Sequence, residues 1–203
     1  MTEKKFNRRD FIKKSAIIGS GAVLASCAGP LSLFGKEPDM AVIEGDNYYN
    51  IALKSIETLG GIEKFVPQNS KVGILINSAF DEKGAYVSPD VSLAVLWAIH
   101  QTNPKEVKCL QLVADDYWKR GNYYDDHIEI VSSLKHVESN VFPAEFNDDE
   151  WKLIDLPKSV SLKNAEIVKA VEECDVLINV AIAKHHASAL YTGALKNMMG
   201  NCT

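Results

Sequence analysis

The sequence predicts an α/β domain built on a mostly parallel open sheet with helices on both faces. Three observations carry this. The composition, 46% hydrophobic, 24% charged and 8% aromatic over 203 residues, is that of an ordinary globular chain. Three short apolar runs, at 71–80, 106–114 and 175–183, have strand length and are apolar almost throughout, as strands buried on both faces are. Stretches of helical length alternate with them, which is the order of parallel βαβ units.

In chain order, Asp46 is placed to cap a helix whose apolar residues Ile51, Leu53, Ile56 and Leu59 recur at helical spacing, and Gly60-Gly61 ends it. Val72 to Ile76 forms the core of the first strand, closed by Asn77 and Ser78. Ser88 is the expected cap of a helix over 89–101. The second strand runs through Val107, Cys109, Leu110 and Val113 to Asp115-Asp116. A helix is expected at about 126–136, an extended piece near 152–156, another helix over 163–173, and then the third strand. The class is Rossmann-like, but no Gly-x-Gly-x-x-Gly follows any strand, so a dinucleotide cofactor has no support in the sequence.

A formal charge of −5, with no basic stripe among aromatics, argues against nucleic-acid binding. The four cysteines, Cys27, Cys109, Cys174 and Cys202, contain no Cys-x-x-Cys, which removes zinc-ribbon and iron–sulfur readings. Cys109 and Cys174 sit at or beside apolar runs and read as core thiols.

The amino terminus reads as an address. Lys4, Lys5, Arg8, Arg9, Lys13 and Lys14 precede a mildly apolar run from Ala16 to Ala25, roughly half the ~20 residues a membrane-spanning helix needs. Arg8-Arg9 followed by Asp10, Phe11, Ile12 and Lys13 resembles a twin-arginine export signal, so the export machinery is an expected partner. Leu24-Ala25-Ser26-Cys27 resembles a lipoprotein cleavage box, with Cys27 as the lipid-bearing residue and the lipid as the membrane anchor. The expected organisation is therefore a signal peptide over 1–26, a tether over 27–45 and an α/β domain over 46–203 on the periplasmic side of a bacterial cell envelope. Removing the leader takes out those six basic residues along with Glu3 and Asp10, moving the formal charge from −5 to −9.

Ligands of open parallel sheets bind beyond the carboxyl ends of the strands. The expected strand ends there carry Asn77 and Ser78, Asp115 and Asp116, and Lys184, His185 and His186. Asn77 and Asp115 are candidate ligand-binding residues. Lys184 and His186 are candidate catalytic ones, and His186 is also a candidate metal ligand. Adjacent histidines on an extended segment point to opposite sides, so one of His185 and His186 is a bystander. His100, His127 and His136 fall on expected helices and read as solvated surface residues.

The stretch Asp175-Val176-Leu177-Ile178-Asn179-Val180, then Lys184-His185-His186, then Thr192-Gly193-Ala194-Leu195-Lys196-Asn197-Met198-Met199-Gly200 resembles the family called domain of unknown function 362. Leu59 to Val66 and Ser88 to Val91 resemble its earlier segments. The resemblance implies hallmark positions at Asn77, Lys184, His186, Lys196, Asn197 and Gly200, and so adds Lys196 to the candidate catalytic residues and Asn197 to the candidate ligand-binding ones. Leu75 and Ile76 stand where the family has Lys-Pro, and Ala181 stands where it has Pro. It also implies a domain that runs on past the Leu-Lys-Asn block, so the chain reads as carboxyl-truncated. Two functions are expected to compete. One is an exported enzyme for a small polar or anionic substrate, with metal or cofactor assistance. The other is a non-catalytic ligand-binding or electron-transfer lipoprotein of the envelope.

Overall fold

A computed structural model describes residues 38–137 and 150–202. Arg8, Arg9 and Cys27 lie outside them. Helix α1 spans Tyr48–Thr58, capped by Asn47, whose side chain accepts from the Asn50 amide at 2.9 Å. The cap is thus one residue beyond the expected Asp46. Gly60 and Gly61, both in the left-handed region at φ 104° and 90°, turn the chain out of the helix. Strand β1 is Lys71–Ile76, and α2 is Pro89–Gln101. Ser88 occupies the cap position of α2 without a side-chain cap bond. Pro89 opens the helix with its φ already set.

Strand β2, Glu106–Cys109, is followed by the short helices α3 at Asp115–Trp118 and α4 at Ile128–Ser132. The expected helix over 126–136 stops early because Lys135–His136 forms β3, pairing in parallel with Lys108 and Cys109. The open backbone edge of β2 takes these residues from the helix. The expected helix over 163–173 divides likewise. Strand β5, Asn164–Val168, pairs antiparallel with β4, Trp151–Asp155, and only Lys169–Glu172 is helical, as α5. A short apolar run suits either state, and here the Trp151–Asp155 partner supplies the backbone bonds of a hairpin. Strand β6 is Val176–Val180, β7 Lys184–His186 and β8 Leu190–Thr192, the last two an antiparallel hairpin. Helix α6 is Ala194–Met198.

The main sheet is parallel, in the order β3-β2-β1-β6, with Ile74 of the central β1 level with Cys109 on one side and Ile178 on the other. Alternation along β1 divides the core. Val72, Ile74 and Ile76 pack with Leu93, Leu96 and Ile99 of α2 and with Tyr117 and Trp118 of α3. Leu75 joins Leu110, Trp151, Val168 and Ala170 on the opposite face, under the β4–β5 hairpin and α5. Gly73 has no room for a side chain, since a Cβ there would lie 2.8 Å from both Cys174 Sγ and Leu110 Cδ1. Cys109 is fully buried, which pushes its thiol up to about 12, and both it and Cys174 are free, as core thiols should be. Among the described residues no helix is long and apolar enough to cross a membrane.

The three histidines expected on helices differ. His100 ends α2, with a buried Nε2 that has no partner among the described residues, and burial lowers its pKa. His127 Nε2 meets the Tyr49 hydroxyl at 2.9 Å, and its ring stacks on that tyrosine. His136 lies exposed on β3, not on a helix.

Candidate functional site

The strand order locates the site before any side chain is considered. The chain leaves β1 for β2 and β3 on one side and later crosses back to place β6 on the other. The carboxyl ends of β1 and β6 therefore lie side by side, at the edge where open parallel sheets take their ligands. Asn77 follows β1 directly, and its amide donates to Val180 O at 3.1 Å, tying the two strand ends together. Lys184 comes four residues after Val180.

Four polar side chains meet at this edge as a directed chain. Lys184 Nζ donates to Asn77 Oδ1 at 3.4 Å, and Asn77 Nδ2 donates to Asn197 Oδ1, also at 3.4 Å. Asn197 Nδ2 donates to Asn179 Oδ1 at 2.8 Å, and Asn179 Nδ2 closes the series on Ala194 O at 2.8 Å. The orientation of each amide is fixed by its neighbours in the network. Bonds running one way polarise each other, and each amide keeps one N–H that the chain does not use. Asn197 is buried at 7% exposure, and its carbonyl accepts from Gln111 Nε2 at 3.1 Å. The cluster consequently carries N–H donors without a protein acceptor among the described residues.

Lys184 also donates to Ala85 O, and its ammonium lies 4.2 Å from the centre of the Phe80 ring. Burial lowers its pKa, and the charge of Lys196 lowers it further. Lys196 sits on α6 next to Asn197, so the two ammoniums share one edge of the sheet. No carboxylate forms an ion pair with either lysine among the described residues, and none opposes the fall in the Lys184 pKa.

The remaining expected residues behave differently. His186 lies two residues from Lys184 on β7, but its Nδ1 accepts from Ser188 N at 3.2 Å and Ala189 N at 3.1 Å, holding the turn of its own hairpin. Accepting at Nδ1 puts the proton of neutral His186 on Nε2. Asp115 is exposed in the first turn of α3, without a hydrogen bond to the amide chain, and Asp116 pairs with Arg120 at 2.8 Å. No group of three His, Cys, Asp or Glu side chains that could hold a metal ion occurs among the described residues, so the donor set here does not fit a metal centre.

A family model described as domain of unknown function (DUF362) matches residues 75–203. The chain belongs to the DUF362 family. The matched span holds every residue of the amide chain. No curated protein and no solved structure matches the chain.

Within this DUF362 domain, sequence reasoning missed Asn179, Phe80, Gln111 and the Ala85 carbonyl as parts of the site. Asn179 could have been found, since an amide inside the apolar run Val176-Leu177-Ile178 needs a partner. The other three are brought in by loops, which no periodicity reports. Two hollows, of about 450 and 390 Å³, lie on the α1–α2 side around Trp97. Neither is lined by a member of the amide chain; the second gathers the acidic side chains Asp125, Asp126 and Glu129.

Proposed function

We propose that this DUF362 chain is an exported, lipid-anchored envelope protein that binds a small anionic ligand at the carboxyl ends of β1 and β6. One observation carries the binding reading: Lys184 and Lys196 share an edge with an amide chain that presents unused N–H donors and, among the described residues, no carboxylate. Ammoniums supply charge, and amides supply directed hydrogen bonds to carboxylate or carbonyl oxygens. A balanced surface would instead pair its lysines with acids. Titration calorimetry with small carboxylates of graded charge tests it. Saturable binding that weakens with salt and weakens at least tenfold in Lys184→Met is the expected outcome, and equal affinity in wild type and variant would overturn the assignment.

Export and anchoring rest on Arg8-Arg9, the short apolar run and Leu24 to Cys27. Replacing both arginines by lysine should hold the precursor in the cytoplasm, because the twin-arginine route reads guanidinium groups and not charge alone. Labelled fatty acid should enter wild type and not Cys27→Ser, and equal labelling of both would remove the anchor.

A non-catalytic binding role has one observation in its favour. His186, the one imidazole named for acid–base work, gives its Nδ1 lone pair to two backbone amides of its own turn. Enzymatic turnover would then have to come from the lysines.

A further inference from the structure

We propose that the β7–β8 hairpin and the outer side of α6 form a face that rests on an anionic lipid bilayer. This goes beyond the small-ligand reading, because it concerns apolar side chains that project from the molecule and not the amide chain.

The first observation is a segregation of charge. Asp and Glu number 27 in the chain, yet none occurs between Asp175 and Thr203. The same stretch carries Lys184, His185, His186 and Lys196. On a protein with a net charge of −5, an anionic surface repels the body and attracts this segment, which fixes the side that approaches it.

The second observation is exposure. Leu190 is 73% exposed, Tyr191 64%, Leu195 90% and Met199 62%. Large apolar side chains scattered singly over a surface are ordinary, whereas these fall together in one short stretch and make a patch. The backbone gathers them. Leu190 opens β8 at the turn of the hairpin. Tyr191 pairs across the hairpin with His185, so the two leave the same face of the ribbon, and both are exposed. A Cβ on Gly193 would lie 2.9 Å from the Tyr191 hydroxyl, so the tyrosine ring lies over the residue that joins the hairpin to α6. Leu195 and Met199 are four positions apart, on one side of α6 and the turn that continues it, and Lys196 follows Leu195 directly.

A bilayer fits these features better than a folded partner does. The side chains stand out from a turn and a helix, and a fluid interface takes projecting side chains without a matching groove. Leucine and methionine enter the acyl boundary, tyrosine keeps its hydroxyl at headgroup level, and a lysine lays its stem along the patch while its ammonium meets lipid phosphate.

Hydrogen–deuterium exchange of the full chain reads this face peptide by peptide, so membrane contacts made elsewhere do not mask it. Vesicles of phosphatidylglycerol and phosphatidylcholine in equal parts are compared with vesicles of phosphatidylcholine alone. The expected result is exchange slowed at least several-fold over 188–199 by the anionic vesicles and little changed by the neutral ones. Combining Leu195→Ser with Met199→Ser should abolish the slowing while leaving carboxylate affinity unchanged, since both side chains are exposed and neither belongs to the amide chain. Unaltered exchange over 188–199, or equal slowing by neutral vesicles, overturns the proposal and leaves the anion site standing. Slowing that appears without lipid and grows with protein concentration means that a second copy covers the face, and overturns it as well.

Discussion

The two ends of the main sheet treat their lysines in opposite ways. At the amino end, Lys108 lies 2.9 Å from Glu173 and 3.8 Å from Glu106, Lys135 lies 2.6 Å from Glu106, and the Lys71 amide donates to Asp175 at 2.8 Å. These acids hold the Lys108 proton more tightly than usual, the Glu173 hydrogen bond contributing most. At the carboxyl end, Lys184 meets an amide, a carbonyl and a ring, and its pKa falls. Compensated charge belongs to a surface that only has to be soluble. Uncompensated charge beside preset donors is what the proposed anion site rests on, and it sets this end of the sheet apart from the other.

Exchanging the two lysines for methionine gives the largest contrast. Lys184→Met should weaken carboxylate binding 10- to 100-fold, about 1.4–2.8 kcal/mol, with stability changed by less than about 1 kcal/mol. Lys108→Met should do the reverse, leaving affinity intact and removing no more than about 1 kcal/mol of stability, because its partners are partly exposed. Calorimetry and urea unfolding read the two effects, and loss of affinity in Lys108→Met would collapse the distinction.

Asn197→Leu strikes the middle of the amide chain. It leaves Asn77 Nδ2 and Asn179 Oδ1 without their partner at a buried position, which should cost about 2 kcal/mol in urea unfolding and lower affinity as well. A variant as stable as wild type would show that the chain is not a structural unit.

The pH dependence also differs between the two ends. A lowered Lys184 pKa means the folded state binds fewer protons between that value and the ordinary lysine value. Stability from this group therefore rises with pH across that window, while anion affinity falls as the charge is lost. Lys108 is raised, so its contribution is present below the ordinary lysine value and is lost as pH climbs through the raised one. Glu106 is lowered, chiefly by its hydrogen bond to Lys135, so its contribution holds above the ordinary glutamate value and fades as pH falls through the lowered one. Buried Cys109 and Tyr117, both raised, lower stability across the same alkaline range, so the Lys184 limb is read from the difference between wild type and Lys184→Met, and a difference that falls with pH would contradict its sign.

The smallest effect sits at the hairpin beside the site. Leu190 has φ 60°, and Tyr191 N reaches back to Ala189 O at 2.7 Å, a tight turn that a side chain disfavours. Leu190→Gly should gain about 0.5–1 kcal/mol, and a loss would mean that the exposed leucine makes a contact outweighing its strain.

Residue chemistry and periodicity were enough for the α/β class, the three buried strands, α1, α2, and the placing of Asn77 and Lys184 near strand ends, whereas Asn197 came in only through the family resemblance. Long apolar runs and helical spacing are local properties, set by which residues can be buried and at what pitch. The β5 strand at Asn164–Val168 was illegible because its helical and extended states differ little until Trp151–Asp155 supplies a ladder. Lys135–His136 likewise became a strand only through the free edge of β2. His186 and Asp115 looked equivalent to Lys184 in sequence, since all lie near strand ends. Only the fold decided that the imidazole caps a turn, that the carboxylate stays in solvent, and that Lys184 meets Asn77, 107 positions away, and through it Asn197. Direction and partnership of polar groups depend on contacts between segments far apart in the chain, and no single stretch of sequence contains that information.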